Sequence, residues 1–206
     1  LTYTVGTYGA EVLLPLLKLI MVMFVACIIH ICIIYLPCIK YSGVPLKKFF
    51  KELTSTILVA FSSASSAAAL SSNLQSVQRL GASRPVSSFL IPLGNTINMD
   101  GTAIYMGVCS IFAATFFGID LTFDKQILIV IIAMLASVGT MGVPGAGVIM
   151  ISMVFTQVGI PLEAIALIAG IDRVLDMMRT TLNVLGDATG ALTVSKAEND
   201  MHPIQE

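Results

Sequence analysis

Late in the chain, residues 171–191 read IDRVLDMMRTTLNVLGDATGA and carry Asp172, Asp176, Arg179, Thr180, Asn183 and Asp187 among apolar neighbours. Asp172, Asp176, Arg179, Asn183 and Asp187 are spaced four, three, four and four positions apart, so a helix places them on one face. The chemistry such a face offers is ligand holding. A guanidinium fork grips a carboxylate in two places, a carboxylate accepts from an ammonium, and oxygen groups hold hard cations. A buried Arg needs an anion, and a free Asp beside it favours an amine-bearing ligand over a plain dicarboxylate. The alternative is a structural ion pair between Arg179 and Asp172 or Asp176, though such buried pairs add little stability. No HExxH or GxSxG stretch occurs, and His30 and His202 lie far from this face along the chain, so the residues do not suggest an enzyme.

The element carrying these groups belongs to a very apolar chain. It has 206 residues, 56% hydrophobic and 11% charged, with mean hydropathy +0.93. Soluble domains carry about 25% charged residues, so the composition reads as a membrane protein. Ionisable groups at membrane depth are costly and face a protein interior or a ligand path. The net charge of −1 argues against nucleic acid as a partner. Cys27, Cys32, Cys38 and Cys109 show no CxxC spacing and read as small hydrophobes. The start at Leu1, with no signal peptide ahead of the first apolar run, reads as a fragment. Trp is absent, which leaves interfacial anchoring to Tyr and Lys.

In order, residues 19–39 form a 21-residue apolar run with His30 as its single ionisable group, long enough to span a hydrocarbon core. His30 reads as a hydrogen-bonded packing residue. Lys40, Lys47, Lys48 and Lys51 follow and mark the cytoplasmic side. Residues 49–61, the serines at 62, 63, 65 and 66, and a second arm to about residue 80 make two helices too short to span. Basic residues at both ends suggest a re-entrant hairpin with a serine tip; one bent spanning helix is the alternative. Residues 85–117 form a long apolar segment interrupted by GNTINMDGT at 94–102, which predicts an unwound helix whose carbonyls and half-helix ends hold a cation. From residue 126 to 162 there is no charge, and SVGTMGVPGAG at 137–147 cannot continue as a helix. A second hairpin from the opposite side fits, and two simple helices joined by a loop are the alternative. The last helix runs from about 162 to 196, before a polar tail. The resulting segments are 1–45, 46–82, 83–119, 120–160, 161–197 and 198–206. Hairpin plus broken helix, then hairpin plus polar helix, is an inverted repeat, the organisation of secondary transporters.

At NTINMDGT (95–102), GVPGAG (142–147) and DMMRTTLNVLGD (176–187) the chain resembles the glutamate transporter family, the dicarboxylate/amino acid:cation symporters. The likeness runs from about Leu14 onward and matches the C-terminal half of a family member. It implies an all-α polytopic membrane fold: an inverted-repeat transport domain with two re-entrant helical hairpins and discontinuous transmembrane helices. It also implies sodium-coupled symport of acidic amino acids by alternating access, with the second hairpin as extracellular gate, and a homotrimer built through a scaffold absent from this chain. The implied substrate residues are Asp176 for the ammonium and Arg179 for the side-chain carboxylate. Asn183, Thr180, Ser65 and Ser66 would hold the other carboxylate, and Thr102, Val143 and Gly147 would close around the ligand. Sodium, the co-transported ion, is implied at three sites with no organic cofactor. One uses Asp187 with carbonyls of Gly94, Asn98 and Asn183; a second uses backbone oxygens of Thr96, Ser137, Val138 and Thr140. The third uses the side chains of Asn98 and Asp100, completed by an earlier helix.

Two departures from the family change expectations. Some prokaryotic members carry an arginine in the first hairpin tip, where Ala64 stands here; Arg173 is the candidate to supply that charge. Mammalian carriers have a glutamate after the tyrosine of NMDGTAxY, where Met106 follows Tyr105 here, so sodium coupling without a proton is expected. C4-dicarboxylate and neutral amino acid symport are the alternatives within the family. A passive channel is the rival of another class, disfavoured because Asp176 and Arg179 suit a clamp rather than an open pore.

Overall fold

The computed structural model describes residues 6, 9–138 and 142–204, and among them every regular element is helical. The first apolar run forms α1 (Leu13–His30), a π-helical turn (Ile31–Tyr35) and α2 (Leu36–Ser42). Pro37 has no N–H for the Ile33 carbonyl and its ring crowds that carbonyl, so the helix widens just before it. One face, Leu16, Leu19, Met23 and Cys27, is buried. Ile28, Ile29 and Ile33 on the other side are exposed, a surface suited to lipid. The helical stretches Ala10–Ser42 and Arg84–Phe116 are long and apolar enough to cross a membrane.

Gly43 (φ 80) ends α2, and α3 (Leu46–Ser63) and α4 (Ser66–Arg79) follow as an antiparallel pair. Polar groups stitch the arms together: Thr56 Oγ1 lies 2.7 Å from Ser72 Oγ and 3.2 Å from Ser76 Oγ, and Arg79 Nε lies 2.9 Å from a Glu52 carboxylate oxygen. The turn between them is short. Ala64 takes the left-handed conformation (φ 51, ψ 39), and the Ser65 hydroxyl accepts from Ala68 N at 3.3 Å to cap α4.

Ser83 caps α5 (Arg84–Ile97), where Pro85 suits the first turn. The chain leaves helical geometry at Asn98 (φ −96, ψ 76) and Met99 (φ −111, ψ 48), then resumes as α6 (Asp100–Phe116). α7 (Phe123–Ser137) and α8 (Ala146–Val158) form the second helical pair, packed against α6. The last segment differs from the single helix expected over 162–196. It is α9 (Glu163–Ala169) and α10 (Asp172–Ala197), separated at Gly170 and Ile171 (φ −121, ψ 1). Glycine is a poor helix former, and Asp172 opens the new helix at its positive end.

α10 is the centre of the molecule. It packs against α1 through α6, and its buried residues go all the way round: Leu175, Leu182, Leu185 and Leu192 as well as the polar set. A helix enclosed on every side must find partners for each polar group it carries. Most of the site geometry follows from that requirement.

Candidate functional site

The expected polar face of α10 is buried throughout: Asp172, Asp176, Arg179, Thr180, Asn183 and Asp187 are each less than a tenth exposed. Asp176 is the most heavily bonded. Its Oδ1 accepts from Arg179 Nε (3.0 Å) and Thr180 Oγ1 (3.1 Å), with Arg179 Nη2 at 2.8 Å, and its Oδ2 accepts from Gly145 N at 2.8 Å. Arg179 is thus ion-paired within its own helix, as the structural alternative anticipated. The guanidinium also stacks 4.9 Å from the centre of the Tyr105 ring. Yet its Nη1 is buried and has no partner among the described residues. Gly147, in the first turn of α8, lies against that nitrogen so closely that a Cβ there would overlap the guanidinium. Glycine at 147 is what lets backbone come this near to the charge.

The two helix-pair tips meet beside this group. Ser65 Oγ donates to Gly142 O (2.8 Å), and Ala67 N donates to the same carbonyl (3.3 Å). Among the described residues Ser66 Oγ is buried without a partner, and so is Asn95 Oδ1 at the end of α5. Both face Gly142: a Cβ built on it would overlap the serine oxygen and lie 3.2 Å from the asparagine oxygen. Asn95 was not singled out from sequence; its signal is visible only once the second tip is placed against α5. Val143, in the same tip, is exposed.

Asn183 closes the broken helix. Its Oδ1 accepts from Gly101 N at 2.7 Å, satisfying one of the free N–H groups that open α6. Its Nδ2 reaches Thr102 Oγ1 at 3.3 Å and the Met99 sulfur at 3.1 Å. One turn on, Asp187 Oδ1 accepts from Asn98 Nδ2 at 2.9 Å, while the same amide reaches Asn183 O at 3.4 Å. Gly94 packs so tightly on Asp187 that a Cβ would overlap its carboxylate. Gly94, Asn98, Asn183 and Asp187 therefore come together, beside a cavity of about 190 Å³ that Gly94, Asn98 and Asp187 help to line.

Asp100 is held from α1 and the π turn: Tyr35 OH donates to its Oδ2 at 2.8 Å and His30 Nε2 lies 3.0 Å from the same oxygen. Neither is among the site residues expected from sequence, where His30 reads as a lone, hydrogen-bonded packing residue and Tyr35 carries no signal. Of the backbone set, Thr96 is exposed near the end of α5, Ser137 is buried at the end of α7 and Val138 is exposed just beyond it. Thr140 lies outside the described residues. Asp172 accepts from Tyr105 OH at 2.8 Å, and Arg173 Nη2 donates to Ser62 O at 2.9 Å, so Arg173 does reach the first tip.

Buried ionisable groups on broken helices, in an apolar chain with two helical stretches of membrane-crossing length, are the features expected of a membrane transport protein. The profile of the sodium:dicarboxylate symporter family matches residues 1–197, and the chain belongs to that family. It is 36% identical over 95% of its length to a proton/sodium-glutamate symport protein of Geobacillus stearothermophilus, covering 46% of that protein. It is 35% identical over 95% of its length to a proton/glutamate-aspartate symporter of Escherichia coli, covering 45% of it. A C4-dicarboxylate transport protein of Bacillus subtilis is 31% identical over 97% of the chain, which covers 48% of that relative. The chain thus spans about half the length of the curated relatives it matches.

Proposed function

We propose that this chain is the ligand-binding part of a sodium-coupled symporter of acidic amino acids. The observation that carries this reading is the buried Arg179 Nη1, without a partner among the described residues and held between the Tyr105 ring and Gly147 next to Asp176. A buried guanidinium nitrogen calls for an anion, and a carboxylate beside it calls for an amine; aspartate and glutamate supply both. Arg179 takes the side-chain carboxylate and Asp176 the ammonium. Ser65, Ser66, Thr180 and Asn183 hold the second carboxylate, with Thr102, Val143 and Gly147 closing the site.

Sodium occupies Asp187 with the carbonyls of Gly94, Asn98 and Asn183. Further ions use Thr96, Ser137, Val138 and Thr140, and Asn98 with Asp100. Oxygen-only sets suit this hard cation. Two of the relatives described above carry protons in their names as well as glutamate. Met106, fully buried and without a titratable group, supports sodium as the coupling ion here. The α3–α4 and α7–α8 pairs act as re-entrant hairpins entering from opposite sides, the second as extracellular gate. The lysines at 40, 47, 48 and 51 and the C-terminus are then cytoplasmic, and the whole protein works as a trimer through a separate scaffold.

The test is aspartate binding by calorimetry on the intact protein, in sodium and then in choline buffer. Binding in sodium alone, abolished by Arg179→Ala, is expected; binding equal in both buffers overturns the sodium assignments. The Bacillus subtilis relative favours one second reading, C4-dicarboxylate symport, in which Asp176 has no ammonium to meet. Succinate that displaces aspartate at equal concentration would select it.

A further inference from the structure

His30 and Tyr35 sit five positions apart. At 3.6 residues per turn they would point about 140° apart around a helix and could not share a partner. The π turn Ile31–Tyr35 changes this, because i→i+5 bonding stacks residues five apart above one another. Both side chains therefore reach a single atom, Asp100 Oδ2, at 3.0 Å and 2.8 Å, with their rings edge to face 4.9 Å apart. A carboxylate only accepts, so His30 presents Nε2–H and Tyr35 its O–H to that oxygen. The Tyr35 hydroxyl also lies 3.3 Å from Leu182 O, which ties this corner to α10. The approach depends on Gly186, where a Cβ would crowd both the Tyr35 hydroxyl and the Asn98 amide.

We infer that His30 and Tyr35 are positioning residues for the cation at Asp100, delivered to it by the π turn. The inference rests on the sodium-coupled reading above. Two donors on Oδ2 fix the carboxylate plane and leave the acceptor capacity of Oδ1 for the ion. The Asp100 side chain is 33% exposed and that of His30 is 23%, so the described residues do not fully enclose the pair. A carboxylate free to rotate would lose more entropy on coordinating the ion, and its affinity would drop. Partners behind a metal ligand typically set affinity by 10- to 100-fold.

The experiment follows the thermal unfolding midpoint of the intact protein against sodium chloride, with choline chloride holding ionic strength constant. His30→Leu and the near-isosteric Tyr35→Phe are each expected to raise the half-saturating sodium concentration roughly tenfold. His30→Gln, which keeps an N–H donor, is expected to stay within about threefold of the parent. A merely structural role would lower the midpoint in choline and leave half-saturation unmoved. Sodium-specific stabilisation of the parent with unchanged half-saturation in Tyr35→Phe and His30→Leu overturns this inference alone. Equal midpoints for the parent in sodium and in choline overturn the sodium reading and the inference with it.

Discussion

Neutralising the Arg179–Asp176 pair one member at a time, and then both together, separates a ligand clamp from a structural ion pair. Asp176 is 1% exposed and Arg179 3%. Removing the cation with Arg179→Met leaves a buried carboxylate uncompensated, at about 3–5 kcal/mol of stability. Adding Asp176→Asn removes that stray charge, and the double variant should recover to within about 1 kcal/mol of the parent, because an isosteric neutral pair is often as stable as the ionic one. Binding should not recover. The ligand carboxylate would lose charge-assisted bonds from Nη1 and a second guanidinium nitrogen, each about 1.5–3 kcal/mol. Two at the lower bound give about 3 kcal/mol, which is more than a hundredfold in affinity. The assay pairs the thermal unfolding midpoint with calorimetric aspartate affinity in saturating sodium. A double variant that recovers stability and still binds aspartate within threefold of the parent would refute the clamp and leave only the ion pair.

Three further outcomes follow from particular contacts. Gly94→Ala drives a Cβ into the Asp187 carboxylate, so sodium-dependent aspartate binding should fall at least tenfold, and an unchanged sodium titration would count against the Asp187 site. Ala64→Gly relieves a left-handed residue (φ 51) in the first tip and should stabilise by about 1 kcal/mol; an unfolding midpoint that drops would show the strain is not there. Arg173→Ala removes the 2.9 Å bond to Ser62 O, and because that side chain is exposed the loss in aspartate affinity should be a few-fold. Unchanged affinity would sink the idea that Arg173 replaces a tip arginine.

The parts of this architecture legible in sequence were those written in periodicity and in helix-breaking composition. The polar face of α10 could be read because its spacing is helical, and the break at Asn98 and Met99 because Asn, Asp and Gly coincide within an apolar run. The break at Gly170 and Ile171 could not, since an isolated glycine in an apolar pattern is tolerated in many helices. His30 reads as a hydrogen-bonded packing residue because it stands alone in an apolar run; its partner, Asp100, lies 70 positions away and is brought to it only by the fold and the π turn. Asn95 needs a partner from another segment: its buried Oδ1 gains meaning only beside Gly142 and Ser66, which are distant along the chain.

The bonding pattern around α10 also bears on how a ligand would be admitted. Asp176, Asn183 and Asp187 already have protein partners, and Ser65 is spent on the Gly142 carbonyl. An incoming zwitterion at those positions exchanges one set of bonds for another, so little net energy comes from them. Arg179 Nη1 and Ser66 Oγ are different, because each is buried and unmatched among the described residues, and supplying a partner removes a penalty of about 1–3 kcal/mol per group. Affinity should therefore concentrate in those two contacts. The exchanged contacts would do other work: releasing Gly145 N from Asp176 would remove one of the bonds that hold the second tip, beside those at Gly142 O. Ligand arrival and tip movement would then be coupled through one carboxylate.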